Sequence, residues 1–259
     1  MVEISIIFED ADIVVLDKPS GIIVNESDTT IHEETIQEWV ENKFSFLKFY
    51  NNETINILTN RIPEDKDSDF HKRSGIVHRI DKETSGVLLV AKNESTFIDL
   101  QRQFKERVIA KTYLALAHGL LEPSEGEINV PIGRLPWNRT HFGVIAGGRE
   151  SVTNYKVLEI KYLDLGRKGE QLSLVEIYPK TGRTHQIRVH LKHLNHPIFS
   201  DPLYAGRKTM NQDRKLLSRM FLHAAKIQFY HPKTKAEVIF QSPLPKDLDQ
   251  FLRSLKKKQ

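Results

Sequence analysis

Apolar residues in this chain fall in short blocks between polar turns, and more of the blocks read as strands than as helices. Ile4 to Phe8 and Asp12 to Leu16 are two runs of strand length separated by the acidic turn Glu9-Asp10-Ala11. Lys18-Pro19-Ser20-Gly21 then breaks the chain before Ile22-Ile23-Val24. Residues 31–41 are compatible with a helix. From 58 to 75 the composition turns polar, with Pro63, a charged run from Glu64 to Asp69, and Ser74-Gly75, which predicts a mobile loop. Val87 to Ala91 is continuously apolar, as in a strand buried on both faces. Phe97, Leu100 and Phe104 recur at helical spacing within 95–107, with Ser95 or Thr96 placed to cap the helix. Strand patterns return at 112–117, 152–160, 171–178, 226–231 and 236–240, with one helix near 184–194. Strands outnumber helices without regular alternation and without an internal repeat. The expectation is a single α+β domain over 1–259, built on a mixed, mostly antiparallel sheet.

Composition narrows the setting more than the chemistry. The 259 residues are 39% apolar and 28% charged, an ordinary globular balance. The absence of cysteine removes disulfides and thiolate metal sites and fits a reducing compartment. No stretch approaches the roughly 20 apolar residues of a membrane span, and the start carries acidic residues with no basic lead, unlike a signal peptide. A cytoplasmic protein with no membrane association is expected. The net charge of +4 discriminates poorly. Its distribution says more: Arg134, Arg139, His141 and Arg149 cluster in one glycine-containing stretch. Arg253, Lys256, Lys257 and Lys258 close the chain and read as a solvated, frayed end.

Two segments concentrate candidate chemistry. His78-Arg79-Ile80-Asp81-Lys82-Glu83-Thr84-Ser85-Gly86 places a carboxylate in a polar turn just before a buried strand, a rigid support for a side chain at the mouth of a cleft. The same residues would equally serve as a turn in which Asp81 and Thr84 tie down the backbone. In Thr181-Gly182-Arg183-Thr184-His185-Gln186-Ile187-Arg188, a helix over 184–194 gives Ile187, Leu191 and Leu194 one apolar stripe. Arg188 then lies ~90° from the stripe centre, able to reach a carboxylate across a packed edge or to stand exposed. His185, His190, His193 and His196 are close together, but without cysteine or a His-Glu-x-x-His pattern a metal site is not expected. No Gly-x-Ser-x-Gly elbow, intact P-loop or Gly-x-Gly-x-x-Gly is present.

Taken in order, these motifs resemble the RluA-like family of RNA pseudouridine synthases, in the form without a separate N-terminal RNA-binding domain. His78-Arg79-Ile80-Asp81 with Thr84-Ser85-Gly86 is similar to its central signature, and Asp17-Lys18-Pro19-Ser20-Gly21 to its entry turn. Lys111-Thr112-Tyr113-Leu114-Ala115 with Gly119 resembles its tyrosine motif. Thr181 to His190 resembles its arginine motif, and Leu222-His223-Ala224 with His231-Pro232 its closing strand pair. The chain departs at Ile80, where leucine is more usual, and at Ser200 and Ala205, where glycine is common; 42–74 matches least.

The resemblance implies the pseudouridine synthase fold, with flanking helices and loops around a central cleft. It implies isomerisation of specific uridines in ribosomal or transfer RNA, without cofactor or metal, by a monomer. Asp81 would be the nucleophile, Arg188 would hold it charged and oriented, and Tyr113 would stack on the uracil and take or relay a proton. Arg79 would fill the stack vacated by an everted base, and Arg183 with the basic stretch 134–149 would hold phosphates. His78, Thr84, His185 and Gln186 are further substrate-side candidates, and Ile187 and Leu222 would supply apolar walls. The competing readings are a non-enzymatic RNA-binding or ribosome-assembly factor on the same fold, and a carboxylate-based hydrolase of nucleosides or sugars.

Overall fold

The two apolar runs at the start form a hairpin of β1 (Ser5–Glu9) and β2 (Ile13–Lys18). Its turn is closed by the Asp10 carboxylate, which accepts the backbone N–H groups of Asp12 and Ile13 at 2.8 Å. The chain is seen here as a computed structural model that describes residues 3–25, 34–44, 68–164 and 169–257. β2 pairs with β3 (Ser85–Ala91), whose seven residues are all buried, because other elements cover both of its faces.

The remaining strands are β4 (Ala110–His118), β5 (Glu125–Asn129), β6 (Ile132–Leu135), β7 (Asn138–Val144), β8 (Val152–Leu163), β9 (Glu170–Pro179), β10 (Leu222–Tyr230), β11 (Glu237–Gln241) and β12 (Lys256–Lys257). One sheet runs β1-β2-β3-β10-β4-β9-β8-β12, with β11 on β10 and β5 on β8, while β6 and β7 form a separate hairpin. Every strand pairing is antiparallel except β3 with β10. At that parallel junction Gly86 lies opposite Ala224 with φ +113°, and a Cβ there would stand 2.2 Å from the Ala224 carbonyl oxygen. Only glycine allows the two strands this approach.

Six helices are present among the described residues: α1 (Ile36–Lys43), α2 (Asp69–Lys72), α3 (Glu94–Lys105), α4 (Gln186–His193), α5 (Arg207–Asp213) and α6 (Lys246–Ser254). One apolar core gathers β1–β3, α1 and α3; a second gathers β4, β8, β9, α4 and α6. Tyr113 packs against both, so it marks the seam between the two halves.

Several expectations need correction. α3 is capped by Asn93, not by Ser95 or Thr96: the Asn93 side-chain oxygen accepts the Thr96 N–H at 2.9 Å, and Ser95 donates to that same oxygen. Of the mobile loop expected at 58–75, residues up to 67 lie outside the described ones. The rest contains α2 and a tight turn at Ser74-Gly75 against Ala91. Residues 31–33 of the first expected helix also lie outside. Arg253, Lys256 and Lys257 of the basic tail are not a frayed end, because α6 buries Leu248 and Phe251 and Lys256-Lys257 pair with β8, while Lys258 lies outside the described residues. β5, β6, β7 and α5 were not expected, being short or interrupted by Gly, and neither was α6.

Candidate active site

Asp81 stands in the turn before β3, and that turn is pinned from behind. The fully buried Lys18 ammonium donates to the carbonyls of Pro19, Lys82 and Thr84 at 2.8–3.1 Å. The Ser20 hydroxyl donates to the Glu83 carbonyl at 2.7 Å and Gly21 N–H to that of Lys82 at 2.8 Å. The Glu83 carboxylate, in turn, accepts from Arg214 and from the Met220 N–H. With the peptide bonds of this turn held on one side, the Asp81 side chain faces the other. Burial lowers the Lys18 pKa to about 7, against the raising effect of the Asp81 charge.

Facing it, α4 carries Arg188, and the structure joins the two: Arg188 Nη1 donates to Asp81 Oδ2 at 3.0 Å. The same guanidinium makes a two-point contact with Asp201, through Nε and Nη2 at 2.8 Å each. Asp201 is wholly buried, and its Oδ1 also accepts the N–H groups of Leu203 and Tyr204. The Tyr204 ring lies 5.0 Å beneath the guanidinium carbon. Arg188 is therefore buried, not exposed on a helix flank: every residue from Gln186 to Leu191 is buried. Burial alone would disfavour its charge, but hydrogen bonding and attraction from Asp201, then Asp81, raise its pKa.

Asp81, Arg188 and Tyr113 line one cavity of about 560 Å³, together with Arg79, Thr84, Arg183, Ile187 and Leu222. Its size suits a small-molecule-scale group. Burial first, and the Asp81 charge second, raise the Tyr113 pKa above the usual phenol range. Arg79 is exposed at the rim, and Arg183 donates to the Glu150 carbonyl at 3.1 Å. Ile187 and Leu222 are buried walls. Thr84 is buried, and its hydroxyl has no hydrogen-bond partner among the described residues.

The other candidates lean on the protein itself. His78 Nε2 accepts the Leu89 N–H at 3.0 Å and its ring packs on Phe104, so burial lowers its pKa to about 3. The Gln186 side chain bonds Thr181, Arg183, Val152 and Thr153, tying the arginine motif to β8. His185, at φ +55°, is hydrogen bonded to the Tyr204 hydroxyl at 2.9 Å. His190 and His196 likewise engage protein oxygens. Arg134 and His141 share the β6–β7 hairpin, with Arg134 over the Phe142 ring and exposed Trp137 at the tip.

Sequence reasoning missed Asp201 as a partner of Arg188. It lies 13 residues beyond Arg188, on a loop with no periodic signal. That loop explains one departure: Ser200 takes φ +64°, a conformation that favours glycine. Its hydroxyl compensates by donating to the Leu217 carbonyl at 2.6 Å, and its N–H donates to Asp213.

The profile described as RNA pseudouridylate synthase matches residues 12–193. The uncharacterized RNA pseudouridine synthase YlyB of Bacillus subtilis is 33% identical over 98% of this chain and 74% of its own length. The chain belongs to the RNA pseudouridylate synthase family. Ribosomal large subunit pseudouridine synthase D of Nitrosomonas europaea is 34% identical over 98% of the chain and 66% of its own length. Among solved structures, human RNA pseudouridylate synthase domain containing 1 superposes with a TM-score of 0.66 at 26% identity, covering 99% of this chain and 97% of that one. The synthase is thus an isomerase that converts uridine in RNA to pseudouridine, on the mixed, mostly antiparallel α+β fold expected from its sequence. No described helix is long and apolar enough to cross a membrane.

Behind the Asp201 loop sits a titratable clamp. Buried His118 is hydrogen bonded to Asp213 at 3.0 Å and Glu170 at 2.8 Å, and Asp213 also holds the Ser200 N–H. Burial opposes the imidazolium, but Asp213 and then Glu170 raise its pKa to about 9. Such a raised pKa stabilises the fold fully below pH ~6.5, and the contribution, about 3 kcal/mol, is lost as pH rises through ~9. Urea unfolding at pH 6 and 9.5 should show that loss in the wild type and a much smaller one in His118→Gln.

Proposed function

We propose that the synthase modifies RNA uridines through a single catalytic domain in which Asp81 is the nucleophile or ion-stabilising carboxylate. The observation that carries this reading is the Asp81–Arg188 contact at the floor of a cavity also lined by Tyr113. Forming pseudouridine breaks the N1–C1′ bond, turns the uracil and joins C5 to C1′; the C5 proton leaves and N1 takes one up. The product is an isomer, so no electrons are gained or lost. The carboxylate meets the electron-poor centre that forms when N1–C1′ breaks. Arg188, immobilised by Asp201, keeps the Asp81 oxygen aimed into the cavity.

Tyr113 stacks on the base, and its raised pKa makes it a proton donor or relay rather than a standing phenolate. A uridine in folded RNA reaches this depth only after eversion, at roughly a few kcal/mol. Arg79 at the rim fills the gap in the stack, and Arg183 with the β6–β7 hairpin holds phosphates on that side. A cytoplasmic monomer acting on ribosomal or transfer RNA completes the reading. Ribosomal RNA comes first to test, since one relative is named for the large ribosomal subunit.

The test is carbodiimide-based mapping of pseudouridine in RNA from cells lacking the gene, complemented with wild type or Asp81→Asn. Sites that vanish on deletion and return only with wild type support the reading. An unchanged map in the deletion strain would sink it.

A further inference from the structure

The active-site cavity gathers several cations and few acids. Arg102, Arg214, Arg219 and Lys256 all sit within salt-bridge distance of carboxylates. Arg73, Lys105, Arg107, Lys111, Lys180 and Arg183 line the cavity, and none has an acidic partner among the described residues. The one acid in that lining, Asp81, is already bonded to Arg188.

Lys111 is the sharpest case. It lies on β4 two residues before Tyr113, so both side chains project from the same face into the cavity. Its ammonium lies 6.0 Å from the Phe104 ring centre and has no hydrogen-bond acceptor among the described residues. Buried Lys18 and Arg188, by contrast, each have three or more hydrogen bonds. Opposite Lys111, a methyl group on Gly182 would stand 3.8 Å from Nζ with nothing else within 4 Å. Gly182 is exposed and its φ is not positive, so the backbone does not demand glycine there. The exposed Gly182 therefore lies beside Nζ without bonding it. A half-buried cation without an anion costs stability, and this one lines the cavity.

We propose that Lys111 binds a phosphodiester oxygen of the RNA strand next to the everted uridine, with the Gly182–Arg183 turn beside that contact. The strand then leaves over Arg73, Lys105 and Arg107, opposite the β6–β7 hairpin. The inference rests on the reading of the cavity as the uridine site and adds the second bank of the strand's path. A proton-transfer role fits less well. Asp81 and Arg188 are hydrogen bonded to each other, and Lys111 is bonded to neither among the described residues. Burial lowers the Lys111 pKa to about 8, and no neighbouring acid offsets it.

The experiment compares wild type, Lys111→Met and Lys111→Arg in three measurements. These are tritium release from C5-labelled RNA of the deletion strain, anisotropy with a fluorescein-labelled ten-residue oligouridylate over a salt series, and thermal unfolding. In Lys111→Met, apparent KM and oligouridylate Kd should rise about tenfold, with kcat much less affected. The slope of log Kd against log salt should become shallower by ~0.7, the loss of one phosphate contact on a single strand. Its melting temperature should hold or rise, because an uncompensated charge has been replaced by an apolar side chain. Lys111→Arg should recover most of the binding.

Unchanged Kd and salt slope in Lys111→Met would overturn the inference, as would a fall in kcat alone or a lowered melting temperature with RNA binding intact. A wild type that binds oligouridylate through Lys111 yet releases no tritium would instead count against the catalytic reading.

Discussion

Asp81→Asn should lose at least about 10⁴-fold in turnover while binding RNA within about twofold of wild type. The substitution preserves shape and removes only the charge. Arg188 keeps its two-point contact with Asp201, and its Nη1 can still donate to the amide oxygen of the new side chain. Asp81 is about one quarter exposed, so losing its half of the ion pair should change stability by no more than about 1 kcal/mol. Tritium release from C5-labelled RNA reads the chemical step, since C5 must shed its hydrogen to bond C1′. Turnover within tenfold of wild type would remove Asp81 from the mechanism. Equal loss of RNA binding would mean that the residue shapes the cleft rather than reacts in it.

Arg188→Met should be costly in both stability and rate. Asp201 has no exposed surface and its carboxylate receives two of the three Arg188 hydrogen bonds. Without the guanidinium, a buried carboxylate keeps only the Leu203 and Tyr204 N–H groups. Leaving one member of such a pair alone costs about 3–5 kcal/mol, measurable by urea unfolding. Turnover should fall with it, because Asp81 loses the donor that aims it. The double variant Arg188→Met with Asp201→Asn removes the stranded charge and should recover part of the stability but not the rate. Equal stability of the single and double variants would show that Asp201 is not held by Arg188.

Part of this arrangement was plain in the chain itself. Asp81 sits one short turn before the continuous apolar run of β3, so local pattern alone placed a carboxylate at the edge of a buried strand. The helical spacing of Phe97 and Leu100 showed which face of α3 packs inward, because a side-chain period is a local property. The ordered motifs from Asp17 to Pro232 carried the family.

What the chain could not announce was decided by long-range packing. Arg188 was ambiguous between an exposed flank and a buried ion pair until the Asp201 loop covered one side of α4 and put a second carboxylate on its guanidinium. Lys18 read as part of a turn, yet it holds the Asp81 loop from 64 residues away. α6 and β12 looked like a basic tail, yet Phe251 of α6 packs on Phe199 and the two terminal lysines of β12 pair with β8. His78 and Gln186, in motifs that pointed to substrate, line the cavity and are also bonded to the protein's own backbone and side chains. The reason is common to all of these. Periodicity reports which face of one element is apolar, whereas the partner of a charged group depends on which distant elements fold against it, and that is settled only when the sheet closes β3 against β10 and brings residue 81 within 3.0 Å of residue 188.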